Sequence, residues 1–139
     1  MADRSPLLPQ DKFDLAAAER IAAAPAAVLI PLLPQLLEWL QDPNWPLAAP
    51  LAAALRPHQM LFDESTAAVL RGGDEAWKLS LLLYLVDRHT AGASLREIHR
   101  IVDSPTAAER EWGADEAAAA ALRRISRPSE SAVLHRRNA

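Results

Sequence analysis

The sequence of 139 residues contains no cysteine; 50% of its residues are hydrophobic and 24% are charged. This composition is ordinary for a globular protein, and it excludes disulfides, thiolate metal sites and cysteine nucleophiles. Residues 1–122 hold ten Lys/Arg and seventeen Asp/Glu, a net charge of −7, whereas residues 123–139 hold five Arg and one Glu, a net charge of +4. An acidic body of this kind suits a basic protein partner better than a phosphate-bearing one.

No targeting or membrane-spanning segment is evident. Residues 1–9 lack a positive region followed by an apolar run, and the longest apolar run, residues 81–86, is too short to cross a bilayer. We therefore expect a cytoplasmic protein without a membrane partner.

The chain divides into three parts. Residues 1–10 have no apolar periodicity and are expected to form an extended lead-in. Residues 11–126 are rich in Ala and Leu and poor in β-branched and aromatic residues, which favours helices over strands. Residues 127–139 are predicted to be a disordered basic tail.

Helix start and stop signals recur along the central part. The sequence predicts helices over about residues 11–24, 32–41, 45–55, 59–71, 75–88, 94–103 and 106–125. The predicted N-caps include Asn44, Asp74, Ser94 and Thr106, the last two in capping boxes with Glu97 and Glu109. Gly72-Gly73 is expected to end one helix in the left-handed conformation.

A repeat links these helices. Residues 40–44 correspond to residues 70–74 at an offset of thirty, and a looser third copy lies near residues 104–106. The same offset places Leu47, Leu51 and Leu55 on Trp77, Leu81 and Leu85. Two-helix units of this period are typical of α-solenoids. We predict an all-α fold, a short HEAT-like α-solenoid of about three helical hairpins.

The corner between the second and third predicted helices also carries a resemblance. Residues 36–46 read Leu-Leu-Glu-Trp-Leu-Gln-Asp-Pro-Asn-Trp-Pro, which resembles the signature of a family of small bacterial helical proteins of unknown function. Further matching segments are Lys12-Phe13-Asp14, Trp77-Lys78 and Ser104-Pro105-Thr106 with Glu109. The similarity covers residues 8–125. It implies a compact HEAT-like helical domain and brings no catalytic residues.

No residue constellation indicates catalysis. The four histidines, His58, His89, His99 and His135, lack the helical spacing with a glutamate that a zinc site needs. Gly72-Gly73 follows a predicted helix rather than a strand and lacks the rest of a phosphate-binding loop. No serine occupies a nucleophile elbow. We therefore predict that the protein is not an enzyme and needs no cofactor or metal.

Tryptophans and acids are the candidate partner-binding residues. Trp39, Trp45 and Trp77 lie near the repeated corners, where the favoured interpretation is packing with each indole N–H on a backbone carbonyl. The alternative is that Trp45 is a binding anchor, because Trp is enriched among interface hot spots. Trp112 is expected to be more exposed than the others. The complete candidate set is Asp42, Asn44, Trp45, Asp74, Glu75 and Trp112.

Two functions of different classes follow. The leading hypothesis is a non-catalytic protein-binding module, in its sharpest form an immunity or antitoxin-type protein that masks a basic partner. The alternative is a nucleic-acid or phosphate binder that uses the C-terminal arginines, although the acidic body makes nucleic acid the less favoured partner. Those arginines are Arg123, Arg124, Arg127, Arg136 and Arg137.

Overall fold

The fold comes from a computed structural model that describes residues 6–126. Within this range the regular structure is helical and contains no strand, which confirms the predicted all-α class. The α-helices are α1 (Leu15–Ala23), α2 (Ala26–Leu29), α3 (Leu33–Glu38), α4 (Ala48–Leu55), α5 (Asp63–Arg71), α6 (Glu75–Ser80), α7 (Gly92–Asp103), α8 (Ala107–Trp112) and α9 (Ala114–Ser126). None of the described helices is long and apolar enough to span a bilayer.

Proline determines where several helices change geometry. Pro31 lies in a short 3₁₀ segment, Ile30–Leu32, between α2 and α3. The predicted helix over residues 59–71 is instead a 3₁₀ segment, Arg56–Phe62, followed by α5. Pro57 lies in the first turn of that 3₁₀ segment and cannot donate a backbone hydrogen bond.

The turn between α3 and α4 is longer than expected, because α3 ends at Glu38 and α4 begins at Ala48. The Asn44 N–H donates to the Asp42 carboxylate at 2.8 Å, so Asp42 is the residue that fixes the turn. Helix α4 begins at Ala48, and its N-cap is Leu47, which makes no side-chain cap bond. The prediction that Asn44 caps a helix beginning at Trp45 is therefore wrong.

The left-handed conformation predicted for Gly72-Gly73 is found at two other glycines, Gly92 and Gly113. Gly72 ends α5 with a φ of −76°, in extended backbone rather than in the left-handed region. Gly113 has a φ of 80° and divides the predicted last helix into α8 and α9. Gly92 has a φ of 59° at the start of α7. Positive φ is the conformation in which glycine has no steric penalty.

The N-terminus of α7 is capped from another helix. It begins at Gly92, so Ser94 lies inside the helix and the predicted capping box with Glu97 does not form. The Asp63 carboxylate, at the start of α5, accepts the N–H groups of Ala93 at 2.8 Å and Ser94 at 3.1 Å. A carboxylate suits this position because the first N–H groups of a helix lack partners within the helix.

Two hydrophobic cores meet on one segment. Helices α1 to α4 enclose the first core, and Leu70, Val86, α7 and α9 enclose the second. The predicted helix over residues 75–88 is divided into α6 and a π-helical segment, Leu81–Leu85. Leu81 and Leu85 pack into the first core and Leu82 into the second. The segment therefore contributes to both cores, although Leu83 within it is 45% exposed.

Candidate functional site

An open groove lies between α3, the end of α5 and the start of α6. Its volume is about 490 Å³. The residues that line it are Pro34, Leu37, Glu38, Ser65, Ala68, Val69, Gly72, Gly73, Asp74 and Trp77. Grooves of this size, with an apolar wall and a few polar groups, are common binding sites.

Trp77 fixes the apolar side of the groove. Its indole N–H donates to the Leu37 carbonyl at 3.1 Å, which joins α6 to the end of α3. The ring is half-buried and packs against the first core, as does Val69. The predicted packing role of Trp77, with its indole N–H on a backbone carbonyl, is confirmed.

The rim of the groove is acidic. Glu38 and Asp74 are both exposed, and no Lys or Arg is among the described residues that line the groove. Asp74 also caps α6, as predicted, because its carboxylate accepts the Trp77 N–H at 3.1 Å. Helices α3 and α5 both end at the groove, and helix C-termini carry partial negative charge.

The predicted partner-binding residues lie on different elements of the fold. Asp42, Asn44 and Trp45 share the α3–α4 turn because they are adjacent in sequence. Trp45 is half-buried and its ring lies 6.1 Å from that of Trp39, with 57° between the planes, so the two rings pack against each other. Asp74 lines the groove. Trp112, at the end of α8, is 54% exposed and is the most exposed described tryptophan.

Glu75 is a correction to the candidate set. It is only 8% exposed, and its carboxylate lies 2.9 Å from the Lys78 ammonium, so it is not free to meet a partner. Lys78 is itself 2% exposed and lies at the same distance from Glu109. Two buried carboxylates therefore share one buried ammonium, and charges at this depth require such pairing.

Glu109 is the centre of this ion-pair network, and no pattern in the sequence indicates that Arg100 reaches it. The Arg100 guanidinium contacts both carboxylate oxygens of Glu109, at 2.6 Å and 3.0 Å, and also donates to the Leu70 carbonyl. The Thr106 N–H donates to Glu109 in the predicted capping box of α8, which is confirmed. The network joins α6, α7 and α8.

The electrostatics of Glu109 suit a structural role. Burial by itself raises the pKa of this carboxyl, but hydrogen bonds from Arg100, Thr106 and Lys78 outweigh burial and lower the pKa to about 2. A group that stays ionised at neutral pH, with its oxygens already bonded, is poorly suited to accept or release a proton. The lowered pKa therefore reflects the ion pairs that hold three helices together.

A smaller cavity of about 100 Å³ lies beside the α7 cap and is lined partly by Gln59 and His89. The Gln59 amide donates to the Leu85 carbonyl and to Asp87, and it accepts the Thr90 hydroxyl at 2.7 Å. These polar groups bond to one another rather than to an open site. Across residues 6–126 no group of three His, Asp or Glu is arranged to hold a metal ion.

The C-terminal arginines have different positions. Arg124 donates to the carbonyls of Leu82 and Val86 at the end of the π-helical segment, so it belongs to the fold. Arg123 is exposed. Arg127, Arg136 and Arg137 lie outside the described residues, as does the predicted disordered tail.

The family model described as Domain of unknown function (DUF5071) matches residues 7–122. The chain belongs to the DUF5071 family. This membership agrees with the resemblance to a family of unknown function, and the matched range includes the groove and the Glu109 network while ending before Arg123. No curated protein matches the sequence. The function of a DUF5071 protein is therefore inferred from the geometry of its site.

Proposed function

We propose that the protein is a non-catalytic protein-binding module whose partner is basic. The observation that carries this proposal is the groove beside Trp77, which combines an apolar wall with an acidic rim. Interfaces of this composition offer burial for affinity and charge for steering and selectivity. The net charge of −7 over residues 1–122 supports the same sign of partner.

We also propose that the helices form a short HEAT-like arrangement. Helix pairs that pack in succession, α1 on α4, α5 on α7 and α7 on α9, support a short HEAT-like arrangement with an extended surface. The sharpest form is an immunity or antitoxin-type protein of the bacterial cytoplasm that masks a basic toxin. A small acidic protein that uses binding alone would serve that role.

Two acidic residues with structural roles, Asp63 and Glu75, should not be mutated in the test. Asp63 caps α7 and Glu75 pairs with Lys78, so neutralising either would disturb the fold. Glu38 and Asp74 are the informative positions. Glu38→Gln and Asp74→Asn remove charge, and Asn keeps the capping ability of Asp.

The test pairs the intact protein with the basic product of the reading frame adjacent to its gene, in a catalytically inactive form. We expect association to slow as salt rises from low to physiological strength, and to slow similarly in the Glu38→Gln/Asp74→Asn variant. A duplex DNA titration tests the alternative. Tight DNA binding that is lost on removal of residues 127–139, without binding to the protein, would overturn the proposal.

A further inference from the structure

We infer that the groove between α3, α5 and α6 takes an arginine side chain of the partner, with an adjacent apolar residue of the same protein segment against Val69. This inference rests on the proposed protein-binding function and names the chemistry that the groove recognises. Three observations support it: the acidic charge of the groove, the position of Trp77 in its wall, and the ion pairs that Lys78 and Arg71 already make with other residues of the chain.

The groove concentrates negative charge from two sources. Glu38 and Asp74 contribute full charges at its rim. Helices α3 and α5 both end beside the groove, and the Leu37 and Val69 carbonyls at these ends already accept hydrogen bonds within the protein, so the helix ends contribute only partial charge. The partial negative charge at the ends of α3 and α5 adds to the Glu38 carboxylate, and the Asp74 carboxylate offsets the partial positive charge at the start of α6, so the groove favours a cation.

The neighbouring cations of the chain are already engaged. Lys78, one residue beyond Trp77, is buried between Glu75 and Glu109. Arg71, next to Gly72, lies 3.6 Å from Glu97. Neither lines the groove. Within the described part of the chain, the acidic rim is therefore available to a cation supplied by another molecule.

Trp77 favours arginine over lysine. Its ring lines the groove, and the bond from its indole N–H to Leu37 places it beside the end of α3. A guanidinium stacks on such a ring and binds carboxylates and carbonyls with several N–H groups at once. The methylene stem of arginine can cover apolar surface such as Val69.

Gly73 provides a way to block the groove without altering the fold. It is exposed, its φ lies outside the left-handed region, and no heavy atom lies within 4 Å of a Cβ added there. Ala68 is an exposed groove residue of α5 and tolerates long helix-forming side chains. Each position therefore accepts a charged substitution and a matched neutral one.

The experiment uses nuclear magnetic resonance titration of the full chain with the pentapeptide acetyl-Gly-Leu-Arg-Leu-Gly-amide and with its citrulline counterpart. Citrulline has nearly the shape of arginine without the charge. We expect the arginine peptide to shift the Trp77 indole and Gly73 amide resonances and to bind at least about tenfold more tightly than the citrulline peptide. Gly73→Lys and Ala68→Lys should weaken binding about tenfold, whereas Gly73→Gln and Ala68→Gln should stay within about threefold.

Equal affinity for the two peptides, or shifts confined to residues outside the groove, would overturn the inference. The protein-level experiment separates it from the proposed function. A basic partner that binds the wild type and Gly73→Lys equally well would contradict the groove assignment and leave the binding function standing. A partner lost from Gly73→Lys but retained by Gly73→Gln would support both.

Discussion

Glu109 illustrates how a single side chain can be fully buried and still carry a charge. Arg100, Lys78 and the Thr106 N–H together supply four donors to its two oxygens. The network has one imperfect member, because Glu75 keeps one carboxylate oxygen without a hydrogen-bond partner among the described residues. An unmatched oxygen at that depth reduces what the ion pairs contribute.

The lowered pKa of Glu109 predicts acid sensitivity. Its folded pKa of about 2 lies below the ordinary value of 4.5, so its contribution is fully present above pH 4.5 and is lost as the pH falls towards 2. The shift corresponds to a stabilisation on the order of 3 kcal/mol. Urea unfolding at pH 7, 4.5 and 2.5 measures it.

The control for this prediction is a second glutamate on the same helix. Glu109→Gln should destabilise the fold by about 3–5 kcal/mol at pH 7, and the difference from wild type should shrink as the pH falls. Glu111→Gln, at an exposed position, should follow the wild-type curve. Parallel pH profiles for Glu109→Gln and wild type would contradict the assignment.

The α3–α4 turn gives a second residue-scale prediction. Asp42→Ala removes the acceptor of the Asn44 N–H and should cost about 1 kcal/mol. Asn44→Ala, at an exposed position that does not cap α4, should stay within about 0.5 kcal/mol of wild type. Denaturant midpoints of the two variants show whether Asp42 or Asn44 contributes more to the stability of the turn. A larger loss for Asn44→Ala would restore the cap predicted from the sequence.

At the scale of elements, Gly92 and Gly113 form a matched pair. Both have positive φ, so alanine at either position should cost about 1–2 kcal/mol of conformational energy. A Cβ at Gly113 meets nothing within 4 Å, whereas at Gly92 it would lie 2.7 Å from an Asp63 carboxylate oxygen. Gly92→Ala should therefore also weaken the cap of α7, at a further cost of about 1.5–3 kcal/mol.

A double-mutant cycle separates the two costs. In an Asp63→Ala background the carboxylate is absent, so Gly92→Ala should cost no more than Gly113→Ala. Thermal or denaturant unfolding of the four variants supplies the measurement. If Gly92→Ala were equally costly with and without Asp63, the steric explanation would fail.

Local sequence signals predicted local features of these elements. Thr106 and Glu109, three residues apart, and Asp74 before Trp77 form the caps that their spacing indicates. The cap of α7 was missed because its acceptor, Asp63, lies thirty residues away. For the same reason nothing in the sequence pairs Lys78 with Glu109. The groove also depends on how α3 is placed beside the end of α5 and the start of α6, which helical periodicity does not determine.

At the scale of the whole molecule, the end of α9 should determine the effect of truncation. A chain ending after Ser126 keeps the bonds of Arg124 to Leu82 and Val86 and the packing of Ile125 in the second core. Its thermal midpoint should match that of the full chain. A chain ending after Leu122 should unfold several degrees lower, since each lost kcal/mol is worth about 2–8 °C.

Point variants control this comparison. Arg124→Met keeps an apolar stem but removes the donors to the two carbonyls, and it should lower the midpoint. Arg123 and Arg124 are both exposed, but Arg123 makes no side-chain hydrogen bond among the described residues, so Arg123→Met should change the midpoint little. A midpoint that drops on removal of residues 127–139 alone would show that those residues contribute to stability, contrary to the sequence prediction of a disordered tail.

The π-helical segment predicts how the protein unfolds. Repeat proteins can often shed an end unit, because each unit contacts only its neighbours. Here Leu81 and Leu85 belong to one core and Leu82 to the other, on a single stretch of five residues. Unfolding of the helices around one core removes packing partners of the other core. Residues 6–126 are therefore expected to unfold in one cooperative transition, and the helices around either core should not fold as an independent fragment.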